Sequence, residues 1–219
     1  MGLNQEVLPR LYPILDANAL PADSTLRDAW LRETVDELLS AEVTLLQYRN
    51  KSASEAEVLA DAFLLREAAP SGVCLLILND YPALAVQAVF DGVHVGQLDA
   101  TPERAREAIG PQGILGVSTH TPEQLSVAEI SSADYLAIGP VFATRSKQSP
   151  DPVVGIEGVR RARALTTKPL VAIGGITLEN CAAVIDAGAD SVAVISALFA
   201  DGSRRRPGKI ARDFFVKLR

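Results

Sequence analysis

Eight short apolar runs, about 20–35 residues apart and separated by longer amphipathic segments, set the strongest limit on how this chain can fold. The runs occupy residues 11–15, 44–48, 74–78, 92–96, 114–118, 135–139, 170–175 and 192–196. Helical periodicity covers residues 34–39, 55–68, 102–109 and 157–165 between them. Eight strand–helix units in this length predict an α/β fold, a single (β/α)₈ TIM barrel. An open doubly wound sheet is the alternative, but no G-x-G-x-x-G follows the first run.

Composition limits the remaining classes. Hydrophobic residues make up 48% of the chain, enough for a large core, and no linker divides it. We therefore expect one domain over residues 1–219, with 1–10 as an N-terminal extension. The net charge of −6 and the lack of a basic face argue against a nucleic-acid partner. No run reaches the ~18 apolar residues of a membrane span, and no signal peptide is visible, so we expect a cytoplasmic protein.

The segment LLQYRNK, residues 45–51, combines a buried strand with three polar side chains spaced two apart. Alternate side chains of a strand point to opposite faces. If Leu46 and Tyr48 pack outward against helices, Gln47 and Arg49 point into the barrel near the strand's C-terminal end. Lys51 then lies over the barrel mouth, where active sites of this architecture are found.

The other runs also end in polar side chains. These are Asn79, Asp80, His94, Gln97, Asp99, Ser118, His120, Thr144, Ser146 and Lys147. Each has a plain structural explanation when taken alone: a turn at 79–80, a satisfied core histidine at His94, and a helix-cap neighbour at His120. Their coincidence at successive strand ends predicts an active site.

The chemistry of these groups suggests phosphate ligands. Arg49, Lys51 and Lys147 are cations, and Asp80 and Asp99 are carboxylates on successive strands. This set fits a diphosphate with Mg²⁺, which takes one or two carboxylates plus phosphate oxygens. Structural ion pairs are the alternative reading. The loops AIGGI and AVIS, after runs seven and eight, predict a second phosphate site formed by backbone N–H groups.

Across nearly its whole length the chain resembles the thiamine phosphate synthase family. The resemblance is carried by QYRNK, ND, DGVHVGQLD, GVSTHT, DYLAIGPVFATRSK and VAIGGI. It implies an Mg²⁺-dependent transferase that joins hydroxymethylpyrimidine diphosphate to thiazole phosphate, releasing diphosphate and thiamine phosphate. It also implies that the partners are these small molecules and that the protein is a homodimer.

The resemblance also implies residue roles. Those expected to hold the pyrimidine diphosphate are Gln47, Arg49, Lys51, Asn79, Ser118 and Lys147. Those expected to contact the thiazole phosphate are Thr144, Ser146, Gly175, Ile195 and Ser196. Asp80 and Asp99 would bind Mg²⁺, and Arg49, Lys51, Lys147 and Ser118 would be catalytic. We expect Lys147 to matter most as the diphosphate departs.

Two departures and two alternatives stand beside this resemblance. The chain has TRSK where the family usually has Thr-x-Thr-Lys, although Ser146 keeps the hydroxyl. Residues 16–30 form a longer segment than usual, for which a lid or an interface is the alternative to the rim padding that we expect. One alternative is a thiazole tautomerase on the same scaffold, in which His120 would move a proton. Such relatives tend to lose part of the Gln-x-Arg-x-Lys set or the second acid. The other alternative is a phosphate-binding barrel without turnover.

Overall fold

The computed structural model describes residues 8–21, 23–144, 151–199 and 206–219, which form a closed barrel of eight parallel strands in sequence order. The strands are β1 Leu11–Asp16, β2 Leu45–Arg49, β3 Leu75–Asn79, β4 Gly92–Val95, β5 Ile114–Thr119, β6 Tyr135–Ile138, β7 Leu170–Ile173 and β8 Ser191–Val194. Each predicted run is a strand, with ends shifted by only a few residues. The (β/α)₈ prediction is confirmed.

The described helices lie outside the barrel. They are α1 Ser24–Leu39, α2 Glu55–Ala68, α3 Pro82–Gln87, α4 Pro102–Ile109, α5 Pro122–Glu129, α6 Gly155–Leu165, α7 Cys181–Asp186, α8 Ser196–Phe199 and α9 Pro207–Lys217. Helices α2 and α4 have the predicted bounds. Ser54 begins α2 with a capping box: its hydroxyl accepts from the Glu57 N–H, while the Glu57 carboxylate accepts from the Ser54 N–H.

The first helix is longer than predicted. It begins at Ser24 rather than at residue 34, after Asp23 accepts a hydrogen bond from the Thr25 N–H at 2.9 Å. Segment 16–30 is therefore only partly a rim loop. It contains a 3₁₀ turn at Ala17–Ala19 and the first turns of α1. The apolar periodicity of this helix is weak at its N-terminal end, where exposed Leu26 interrupts the pattern.

Side-chain alternation divides the core into two clusters. In β2, Leu46 and Tyr48 join the outer cluster between strands and helices, whereas Leu45 joins the inner cluster inside the barrel. The predicted orientation of this strand is confirmed. Leu8, from the expected N-terminal extension, also belongs to the inner cluster.

Three arginine–aspartate pairs repeat at the floor, the N-terminal end of the barrel. They are Arg66–Asp91, Arg106–Asp134 and Arg163–Asp190, with N···O distances of 2.6, 2.6 and 2.9 Å. Each aspartate immediately precedes an even-numbered strand and also accepts a backbone N–H from the strand before it. The donors are Leu76, Leu115 and Leu170, at 2.8, 2.7 and 2.8 Å. Each of these floor clamps joins one helix and two strands.

Two further features concern membrane-spanning character and the cysteines. Within the described residues, no helix has both the length and the apolar character needed to cross a bilayer. Cys74 and Cys181 are buried free thiols, and burial raises the pKa of Cys74 to about 12.

Candidate active site

A cavity of about 450 Å³ opens at the C-terminal mouth of the barrel. Its lining includes every described residue expected to bind substrate or metal: Gln47, Arg49, Lys51, Asn79, Asp80, Asp99, Ser118, Thr144, Gly175, Ile195 and Ser196. Ser146 and Lys147 lie outside the described residues. The mouth therefore brings together side chains from distant parts of the sequence, as active sites of this architecture do.

One wall of the cavity carries two carboxylates and an ammonium group. Lys51 Nζ lies 2.8 Å from Asp80 Oδ2 and 3.7 Å from Asp99 Oδ1. Asp99 also accepts the Gly96 N–H at 2.9 Å, which fixes its carboxylate. Asp80 has a left-handed φ of +73°, and its N–H donates to the His94 carbonyl at 2.9 Å. Such a backbone conformation is uncommon outside glycine and often marks a functional position.

The two carboxylates have opposite pKa shifts. Burial and the neighbouring Asp99 raise the pKa of Asp80, against the effect of Lys51. Burial opposes ionisation of Asp99 as well, but hydrogen bonding from Asp80 and the charge of Lys51 outweigh it and lower that pKa. The wall therefore favours a cation shared between the two acids.

The pair is a suitable but incomplete magnesium donor set. Among the described residues, no group of three or more His, Cys, Asp or Glu side chains is arranged to hold a metal ion. Mg²⁺ commonly uses only one or two carboxylates and takes its other ligands from water and phosphate oxygens. The hard oxygens of Asp80 and Asp99, already gathered around one cation, fit that pattern.

Arg49 lies on the strand next to β1 and is held by an acidic partner there. Its guanidinium forms an ion pair with Asp16, the residue directly opposite it in the β1–β2 ladder. Asp16 also accepts the Asn18 N–H at 2.9 Å and is almost completely buried. The pairing leaves Arg49 lining the cavity with a restrained orientation.

A hydrogen-bonded chain of buried side chains crosses the barrel beneath the mouth. Gln47 Nε2 donates to Tyr12 Oη at 2.9 Å, and the Tyr12 and Tyr135 hydroxyls are 2.9 Å apart. Tyr135 Oη lies 2.9 Å from His94 Nδ1, and His94 Nε2 lies 2.8 Å from Ser118 Oγ. Burial raises the pKa of both tyrosines and lowers that of His94 to about 4. The whole chain is therefore uncharged at neutral pH.

The loops after β7 and β8 form the opposite wall. Gly174 and Gly175 have φ values of +103° and +64°, and a Cβ at Gly175 would lie 2.5 Å from the Ala143 carbonyl oxygen. Within the described part of the chain, the N–H groups of Gly175 and Ser196 find no protein acceptor. Backbone donors without a protein acceptor, on residues that line the cavity, suit an anion.

Comparison with known proteins identifies the family. A family model described as thiamine monophosphate synthase matches residues 11–198. The chain belongs to the thiamine monophosphate synthase family. A thiamine-phosphate synthase of Koribacter versatilis is 56% identical over 198 residues, covering 90% of this chain and 92% of the relative. The thiamine-phosphate synthase of Gloeobacter violaceus is 41% identical over 86% of this chain but only 54% of its own longer chain. The solved thiamine phosphate pyrophosphorylase of Pyrococcus furiosus gives a TM-score of 0.80 at 32% identity, covering 95% of each chain.

In this member of the thiamine monophosphate synthase family, His120 is held by protein groups on both sides of its ring. Nδ1 lies 2.6 Å from the Gly139 carbonyl oxygen, and Nε2 lies 3.4 Å from Asp151 Oδ2. The backbone N–H of His120 donates to Gln124 Oε1 at 2.7 Å, near the start of α5. His120 thus precedes Thr121, the N-cap residue of α5, and its side chain also lines the cavity, so its role stays a prediction.

Three residues that contact the predicted site residues were not predicted from the sequence patterns. Tyr12, Asp16 and Tyr135 contact the predicted residues, yet none was named from the sequence. A signal was available for β1, because Tyr12 and Asp16 share the inward face of LYPILD and Asp16 ends the strand. Tyr135 gave no comparable signal, since a tyrosine that begins a strand is usually core.

Proposed function

We propose that the protein joins 4-amino-2-methyl-5-hydroxymethylpyrimidine diphosphate to 4-methyl-5-(2-phosphooxyethyl)thiazole, giving thiamine phosphate and diphosphate. The observation that carries this proposal is the composition of one cavity. Lys51 bridges Asp80 and Asp99 on one wall, Arg49 ends β2 two residues before Lys51, and the loops that carry the Gly175 and Ser196 N–H groups, unpaired within the described residues, form the other wall. This lining supports the binding of two phosphorylated ligands, one at each wall.

The demanding step is departure of diphosphate. The bond between the pyrimidine's exocyclic carbon and the diphosphate oxygen breaks, and its electron pair leaves with the diphosphate. The aminopyrimidine ring stabilises the carbon cation, and the thiazole nitrogen then supplies the electron pair of the new C–N bond. No strong general base is required, because that nitrogen is already nucleophilic. Arg49 and Lys51 stabilise the charge that grows on the leaving group, and Lys147 remains proposed for the same role.

Asp80 and Asp99 are proposed to hold Mg²⁺ when the diphosphate is bound. The ion would supply electrostatic stabilisation of the phosphate oxygens. Lys51, which the two carboxylates hold in the free protein, would then turn toward the diphosphate. Its side chain is about half exposed, so this movement meets little packing resistance.

The proposed pyrimidine site lies over the buried polar chain. Gln47, Asn79 and Ser118 line the cavity, and Asn79 Nδ2 is a buried donor with no hydrogen-bond partner in the described protein. A buried amide without a partner costs about 1–3 kcal/mol, which a substrate acceptor would recover. Gly175, Ile195, Ser196, Thr144 and Ser146 are proposed to contact the thiazole phosphate.

The tautomerase alternative is less consistent with the site. A residue that moves a substrate proton needs a free ring nitrogen, whereas His120 faces the Gly139 carbonyl on one side and Asp151 on the other. The complete Gln47, Arg49 and Lys51 set and both acids also favour diphosphate chemistry over passive phosphate binding.

A direct assay tests the proposal. The protein is mixed with both phosphorylated substrates and Mg²⁺, and release of diphosphate and formation of thiamine phosphate are followed together. We expect equal amounts of both products and no turnover with EDTA. Thiazole isomerisation without diphosphate release would support the tautomerase, and substrate binding without any turnover would support a phosphate-binding barrel.

Light scattering would test the proposed homodimer.

A further inference from the structure

The buried polar chain between Gln47 and Ser118 has four links and a restricted supply of hydrogens. Its members in order are Gln47, Tyr12, Tyr135, His94 and Ser118. Each tyrosine hydroxyl has one hydrogen to donate, and a neutral histidine has one N–H. The direction of one link therefore decides the direction of the next.

We propose that this chain is ordered in a single direction, with His94 held as its Nε2–H tautomer, and that His94 and Tyr135 are positioning residues that fix Ser118 as a hydrogen-bond donor toward the cavity. The direction of each hydrogen bond follows from these five side chains alone. Only its kinetic consequence rests on the proposed function.

The order begins at Gln47. Its Nε2 donates to Tyr12 Oη, so the Tyr12 hydrogen must go elsewhere. Tyr12 is about 1% exposed, and the other polar side-chain atom at hydrogen-bond distance within the described residues is Tyr135 Oη. Tyr12 therefore donates to Tyr135, because an unused buried hydroxyl hydrogen would cost about 1–3 kcal/mol.

The directions of the remaining two hydrogen bonds are then fixed. Tyr135 accepts from Tyr12 and must donate to His94 Nδ1. A neutral His94 with Nδ1 accepting carries its hydrogen on Nε2, which donates to Ser118 Oγ. The Ser118 hydrogen is left for the cavity, which Ser118 lines. A donor at that position suits an anionic or ring-nitrogen acceptor of a substrate.

The opposite order would require the Gln47 amide to be turned over. Tyr12 would then donate to Gln47, every later link would reverse, and Ser118 would donate to His94. Ser118 would offer the cavity only an oxygen acceptor. The two orders therefore differ in one measurable property, the ring nitrogen of His94 that carries hydrogen.

Packing keeps the chain in register. Gly116, in β5, lies against the middle of the chain, and a Cβ there would overlap the Tyr135 ring and His94 Nδ1. The aromatic rings of His94 and Tyr135 are also in contact, with centroids 5.5 Å apart. Burial lowers the pKa of His94 to about 4, so the ring stays neutral near pH 7.

Nitrogen NMR of histidine-labelled protein tests the order directly. The protein has only two histidines. His120 provides an internal reference, because its Nδ1 faces a carbonyl oxygen and must carry hydrogen. At pH 7 we expect His94 as the neutral Nε2–H tautomer and His120 protonated at Nδ1, with His120→Gln assigning the signals. A neutral Nδ1–H form, a mixture of tautomers, or an imidazolium at His94 would overturn the proposal.

A double-mutant cycle tests whether Tyr135 acts through Ser118. We expect Tyr135→Phe to lower kcat about tenfold with a smaller change in KM, and Ser118→Ala to lower it at least as much. Combining the two substitutions should then cost no more than Ser118→Ala alone. Multiplying effects would reject the route through Ser118. Tyr48→Phe is the matched control, because Tyr48 is a buried, hydrogen-bonded tyrosine in the outer cluster, outside the chain.

These two experiments separate the inference from the proposed function. If the protein forms no thiamine phosphate, the proposed function fails, yet the tautomer of His94 can still be read. If it is active and His94 carries hydrogen on Nδ1, the inference fails alone. If Tyr135→Phe does not fold, the wild-type spectrum still decides the order.

Discussion

Asp16 and Arg49 face each other across the β1–β2 ladder, and their ion pair lies at the wall of the cavity. Arg49 is thus held before any diphosphate arrives. Because Asp16 is almost completely buried, the arginine has a fixed anchor rather than a solvated one. A held guanidinium loses less side-chain entropy when it binds phosphate oxygens in a forked geometry.

The anchor predicts a kinetic effect of Asp16→Asn. We expect kcat/KM for the pyrimidine diphosphate to fall about tenfold, because Arg49 loses the charge that orients it. Steady-state kinetics measure this. Asp61→Asn is the control, since Asp61 pairs with Arg27 in the outer shell and should affect stability but not kcat/KM. A gain in kcat/KM would instead mean that Asp16 competes with the diphosphate.

Lys51 predicts how the free protein binds metal ions. Its ammonium lies between Asp80 and Asp99, so an incoming cation must displace it. We expect Lys51→Met to bind Mn²⁺ several-fold more tightly than wild type in the absence of substrate, while turnover falls. Electron paramagnetic resonance of free Mn²⁺ gives the affinity.

The matched control for Lys51→Met is Lys209→Met. Lys209 pairs with Asp213 on the surface of α9, and its loss should leave the Mn²⁺ affinity unchanged. Equal or weaker Mn²⁺ binding by Lys51→Met would show that the two acids are not the cation site.

His94 predicts a contribution to stability that depends on pH. Its pKa is about 4 in the folded protein against 6.5 for the unperturbed side chain, because burial disfavours the charged ring. The unfolded chain therefore takes up a proton first as pH falls, and the stability contributed by neutral His94 declines below about pH 6.5. Between pH 7 and 5.5 the loss should be about 1 kcal/mol.

Urea unfolding of wild type and His94→Gln at both pH values isolates this term. The unfolding free energy of wild type minus that of His94→Gln should be about 1 kcal/mol smaller at pH 5.5 than at pH 7. The lower pH stays above the sequence pI of about 5.0, which limits precipitation. A difference independent of pH would mean that His94 has an ordinary pKa.

The floor clamps predict a loss of stability without a loss of activity. Asp134 accepts from both Arg106 and the Leu115 N–H, so Asp134→Ala removes the acceptor of that N–H and the charge partner of Arg106, which keeps only carbonyl acceptors such as Ser132. We expect about 2 kcal/mol of destabilisation and an unchanged kcat. Asp213→Ala, in an exposed pair, should change stability by less than about 0.5 kcal/mol. A marked fall in kcat for Asp134→Ala would mean that the floor communicates with the mouth.

The barrel was predictable because each strand leaves a local signal. Apolar runs mark the strands, and alternation within LLQYR fixes which side chains of β2 face inward. Caps such as Ser54 and Thr101 fix where α2 and α4 begin. These signals depend on neighbours within a few residues, so one sequence contains them in full.

The partners within the site were less predictable because they depend on distant residues. Tyr12 and Tyr135 meet across the barrel although 123 positions separate them, so alternation in β1 can indicate that Tyr12 faces inward but not which residue it contacts. The partner of Arg49 was missed for the same reason, since Asp16 becomes its neighbour only when β1 pairs with β2. The roles of the site residues stay predictions, because they concern ligands that the chain alone does not specify.

The floor clamps precede three of the four even-numbered strands, β4, β6 and β8. At the floor of the barrel, the same arrangement of one arginine, one aspartate and one backbone N–H is therefore repeated after each two strand–helix units. The ion pairs that fasten strands to helices and the candidate active site therefore lie at opposite ends of the barrel, so substitutions at the floor and at the mouth should affect stability and activity separately.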